Sequence, residues 1–72
     1  MTFVFSGALE NFTRDEAKEE VEAMGARTTS SITGETDYLV VGKNPGSKLQ
    51  EARAQGVKCI DEHAFKEFLE GS

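Results

Sequence analysis

The sequence predicts an α/β fold, a four-stranded parallel sheet flanked by three helices in the order β-α-β-β-α-β-α. Three observations predict it. TFVFS at 2–6 and YLVV at 38–41 are apolar runs without polar alternation, as expected for strands buried on both faces. Segments of helical period lie between strand-like runs, and parallel strands need crossover connections of that kind. The chain has 72 residues, enough for one small domain and close to the lower limit for folding without a metal or disulfides.

Each element carries its own signals. Gly7 follows the first strand and permits a turn. Thr13 then suits the N-cap of a helix, Glu16 completes a T-x-x-E capping box, and Phe12 is placed to staple onto Ala17. Ala17, Val21 and Met24 share one face of that helix, its acids point outward, and Gly25 stops it. ARTTSSI reads as a short polar edge strand and TGET as a turn leading to YLVV. After Gly42, Ser47 is expected to cap a short second helix running through Leu49, Ala52 and Arg53 to Gly56, with Gln50 completing another capping box. VKCI at 57–60 is a short strand. Asp61 caps a last helix whose apolar face is Ala64, Phe65, Phe68 and Leu69. No linker, repeat or low-complexity tract interrupts residues 1–72, which read as one domain cut from a longer protein.

Composition narrows the function. One cysteine, Cys59, excludes an internal disulfide and fits a reducing compartment; one cysteine with one histidine cannot build a zinc site. No apolar run is long enough for a membrane helix, and the start lacks the pattern of a signal peptide. Net charge is −5, which argues against a generic nucleic-acid binder. The bases are unevenly placed, however. Lys43, Lys48, Arg53 and Lys58 face only Glu51 between residues 42 and 58, whereas the flanking segments are acidic. A solvated helix face of mixed charge is the simplest account of that stretch taken alone.

The stretches TFVFSGALENFTRDEAKEEVEAMGA and TDYLVVGKNPGSKLQEARAQGVKCIDEHAF carry a family resemblance with matching spacing over nearly the whole chain. The sequence resembles a BRCT domain, in particular the single BRCT domain at the C-terminus of bacterial NAD-dependent DNA ligases. The BRCT domain of the large subunit of the eukaryotic clamp loader, replication factor C, is a second likeness through its TRDEA-like helix start. The resemblance implies the same four-stranded parallel sheet with helices on both faces. It also implies a phosphate site, in which a Ser or Thr ends the first strand, a Gly follows, and a Lys opens the second helix. Ser6, Gly7 and Lys48 fill those places, and Arg14 matches a further base of the clamp-loader type. The chemistry is coherent: a hydroxyl and an amide donate to the phosphate, two cations supply charge, and a glycine lets the phosphate approach the backbone. Lys43 is a further candidate for DNA contact.

Each residue also has a plain structural role open to it: Ser6 ending a strand, Gly7 making a turn, Arg14 and Lys48 as exposed bases at helix starts. A Walker A loop is excluded, because Gly46 is followed by Ser47, Lys48 and Leu49, which leaves no hydroxyl after the lysine for Mg²⁺. No catalytic constellation is expected: His63 lacks a partner nucleophile and reads as an exposed helix-start residue, and Cys59 reads as core.

The resemblance therefore implies a non-catalytic module that binds DNA near a 5′-phosphorylated break during replication and repair. Its partners would be nicked or 5′-phosphorylated duplex and the other domains of its parent. That parent would be a cytoplasmic, nucleoid-associated bacterial ligase using NAD and Mg, and this domain would hold no cofactor or metal and act as a monomer. Phosphopeptide reading and docking within a larger enzyme are the alternatives. Two departures from the pattern matter. Many relatives carry lysines where this chain has Gly34 and Glu35, which with the net charge implies weak DNA binding by the domain alone. Where the last helix often carries Trp, Phe65 or Phe68 must serve.

Overall fold

The computed structural model describes residues 1–71. Its elements run β1 (Thr2–Ser6), α1 (Arg14–Ala23), β2 (Arg27–Thr29), β3 (Tyr38–Val41), α2 (Lys48–Ala54), β4 (Lys58–Asp61) and α3 (Glu62–Gly71). The four strands form one parallel sheet in the order β2-β1-β3-β4. This is the expected α/β fold, with three helices.

Strand alternation sends successive side chains to opposite faces, and two apolar layers result. Phe3, Phe5 and Val40 pack with Ala17 and Val21 of α1 and Phe65 of α3. Val4 and Leu39 pack on the other face with Ala52 of α2 and Val57. The central strands are therefore covered on both sides, which is why TFVFS and YLVV lack polar alternation. Aromatic rings dominate the first layer. Phe65 stands edge-on to Phe3, Phe5 and Phe12, with centroids 5.9, 5.4 and 5.7 Å apart. Phe65 thus takes the central place in the last helix, with Phe68 beside Phe3.

Capping follows the sequence at α1 and α3. Thr13 Oγ1 accepts from the Glu16 amide at 3.1 Å, and Glu16 returns the bond to the Thr13 amide at 2.9 Å. Asp61 Oδ1 accepts from the Ala64 amide at 2.7 Å. At α2 the expected cap does not form. Ser47 sits in the helical region (φ −76°, ψ −14°), so its hydroxyl cannot turn back onto the first amides, and no side-chain capping bond is present. Met24 also departs from expectation. It lies at the C-cap of α1, past the last turn packed on the sheet, and is partly exposed rather than core. β2 is shorter than ARTTSSI, and β4 starts one residue later than VKCI.

The crossover from β1 leads outward to β2, and that from β3 leads the opposite way to β4. The strand order therefore reverses between β1 and β3, the place where open α/β sheets leave a crevice at the strands' C-terminal ends. Here the crevice is closed by backbone. Ala8 and Lys43 form an isolated antiparallel bridge, with amide-to-carbonyl distances of 3.1 and 2.9 Å. Both neighbouring glycines are required by this closure. Gly7 has φ +76°, and a Cβ on it would collide with the Lys43 carbonyl; a Cβ on Gly42 would collide with the Ala8 carbonyl.

Candidate functional site

The loop between β1 and α1 is held on three sides. The Ala8–Lys43 bridge fixes one, and the Glu62 carboxylate at the start of α3 accepts the amides of Glu10 and Asn11. Lys43 Nζ lies 2.6 Å from Glu10 Oε1. The carboxylate's hydrogen bond and charge raise the Lys43 pKa, although both side chains remain exposed. Lys43, Asp61, Glu62 and His63 line one recess, and His63 pairs with Glu67 at 2.8 Å. Among the described residues, no cluster of His, Cys, Asp or Glu could hold a metal.

On the other side of the loop lies a cleft of about 270 Å³. Phe5 lies at it, Arg14, Asp15 and Lys18 of α1 supply one wall, and Thr28, Thr29 and Ser30 supply the other. Lys48 reaches its rim from α2: its Nζ donates to the Ser30 carbonyl at 3.0 Å. Two helices thus bring Arg14, Lys18 and Lys48 around the same residues.

The direction of one backbone donor follows from pairing. The Ser6 carbonyl accepts from the Gly42 amide at 2.7 Å and therefore points toward β3. The Ser6–Gly7 peptide is trans, so the Gly7 N–H points the opposite way, toward the β2 side. β2 ends at Thr29, which pairs with Val4, so no strand residue stands opposite Gly7 there. The Gly7 amide is directed to the side where the cleft lies.

Ser6 differs from expectation. Its side chain falls on the α2 face with Val4, is 1 % exposed, and leaves Oγ buried with no hydrogen-bond partner among the described residues. A buried hydroxyl left in this state costs about 1–3 kcal/mol. Gly7 also has a different reason from the one expected. The side a Cβ would occupy is taken by the Lys43 carbonyl, not left open to an approaching phosphate.

The model of the BRCA1 C Terminus (BRCT) domain matches residues 1–69. This chain belongs to the BRCT family. The BRCT chain is also similar to proteins named DNA ligase. It is 51% identical over 70 residues to that of Thermoanaerobacter sp. (strain X514), covering 97% of this chain and 11% of that protein. It is 52% identical over 68 residues to that of Coxiella burnetii (strain Dugway 5J108-111), covering 94% and 10%. It is 54% identical over 68 residues to that of Halothermothrix orenii, again covering 94% and 10%. The chain therefore spans about a tenth of the length of these relatives.

Of the residues expected at a phosphate site, the BRCT fold brings Arg14, Lys48 and the Gly7 amide toward one region. It places the Ser6 hydroxyl beneath the surface and Lys43 against Glu10 in the separate recess. Lys18, Thr29 and Ser30 were not singled out from the sequence. For Lys18 the signal was there, because it stands four residues after Arg14 on the same helix face.

Proposed function

We propose that this chain is the non-catalytic BRCT module of an NAD-dependent bacterial DNA ligase, and that it holds a phosphate of duplex DNA near a 5′-phosphorylated break. The observation that carries the reading is the convergence of Arg14 and Lys48 on the cleft at the end of β2, on the side to which the Gly7 amide points. Charged donors and a backbone amide at one place are what phosphate recognition requires, and none of them reads base identity. Binding would be independent of sequence and would weaken steeply with salt. The ligase relatives support duplex DNA as the partner. NAD and Mg²⁺ would serve domains outside this chain. Ser6 Oγ joins the site when phosphate binding draws it out of its buried position, which also relieves the unpaired hydroxyl.

Fluorescence anisotropy on a nicked duplex with a 5′-phosphate or 5′-hydroxyl tests this. The phosphorylated duplex should bind more tightly, and Lys48→Ala should remove that preference with little change in melting temperature, since Lys48 donates only one exposed hydrogen bond. Equal binding of both duplexes by the unaltered chain would refute the reading and favour docking on other domains.

A further inference from the structure

Helix α1 separates its charges. It carries acids at 15, 16, 19, 20 and 22, and its two bases are Arg14 and Lys18, four residues apart. Like charges at that spacing repel one another along a helix. Both bases nevertheless line the cleft, opposite the hydroxyl-bearing residues Thr28, Thr29 and Ser30. Arg14 sits at the first helical position, near the Gly7 loop, whereas Lys18 lies one turn farther along. One turn is about 5.4 Å, so the two bases are offset along the helix axis and can reach different groups of one strand.

From this placement we propose a second phosphate position in the cleft, formed by Lys18 with Thr28 and Ser30 of the facing wall. It would take the backbone phosphate adjacent to the one held by Arg14, Lys48 and the Gly7 amide. The inference rests on the DNA-binding reading above and extends it along the strand. An internal phosphodiester carries a single negative charge shared by its two non-bridging oxygens, and it is present whether or not the 5′ end is phosphorylated. Lys18 therefore contributes equally to duplexes with and without a 5′-phosphate. Asp15 lines the same cleft and opposes the phosphate there. Its removal strengthens binding, although it sits in the first turn of α1, where an acid favours the helix.

The test is anisotropy of the 72-residue chain on 5′-phosphorylated and 5′-hydroxyl nicked duplexes across a salt series. Lys18→Ala should weaken binding to both by roughly five- to tenfold near 100 mM salt and make the salt slope shallower by about one unit. The preference for the 5′-phosphate should survive, in contrast to Lys48→Ala. Lys18→Arg should restore affinity, and Asp15→Asn should raise it. Lys18 is exposed, so thermal melting should show an unchanged fold. An unaltered chain that prefers the 5′-phosphate, paired with a Lys18→Ala variant of undiminished affinity and slope, overturns the second position alone. An unaltered chain that binds neither duplex overturns both proposals.

Discussion

Ser6 and Gly7 are adjacent and serve different ends. Gly7 is fixed by geometry, since its positive φ and the Lys43 carbonyl against its Cβ side leave no room for another residue. Ser6 is an anomaly of packing, a hydroxyl among apolar neighbours with nothing to bond. If Ser6 were there for stability, alanine would be the better residue. Ser6→Ala should therefore melt at the same temperature or higher by up to about 5 °C, as loss of a buried unpaired hydroxyl implies for a domain of this size. The same variant should bind 5′-phosphorylated duplex more weakly. A clear fall in melting temperature, read by circular dichroism, would show that the hydroxyl is bonded in solution. Such a residue is legible in sequence only as a serine at a strand end. That it is buried and unpaired depends on what covers it from other elements.

Among the elements, α1 was readable almost to the residue because its signals are local. Thr13, Glu16 and the spacing of Ala17 and Val21 act within one helical turn or two, and both capping bonds form. The start of α2 was misread for the converse reason. Ser47 and Gln50 present the same pattern, but the chain at 44–47, with positive φ at Asn44 and Gly46, delivers Ser47 already in helical conformation. The two hydroxyls should then differ in worth. Thr13→Ala should lower stability by about 1 kcal/mol, and Ser47→Ala by no more than a few tenths. Chemical denaturation of the two variants compares them directly, and equal losses would show that Ser47 caps α2 after all. The candidate site had the same division. Arg14 and Lys48 are marked by their places at helix starts, whereas Ser30 and Thr29 enter only because β2 ends level with Val4, a matter of register between distant segments.

In the whole molecule, charge and topology act together. The chain carries −5 overall, yet the two bases of α1 and the first residue of α2 gather at one end of the sheet. That field is local, so affinity for DNA should be modest in the isolated chain and sharply dependent on ionic strength. The reversal of strand order sends α1 and α2 to opposite faces, which lets a base from each reach the same loop. The Ala8–Lys43 bridge and Glu62 hold the intervening loop, so the Gly7 amide keeps its direction. Lys43 lies on the far side of that loop, paired with Glu10. The most direct measurement is an amide-resolved NMR titration of the chain with 5′-phosphorylated nicked duplex. The account predicts the largest shifts at Gly7, Thr29 and Ser30, with Lys43 and His63 unmoved. Shifts centred on the Lys43–His63 recess, or none at Gly7, would contradict it.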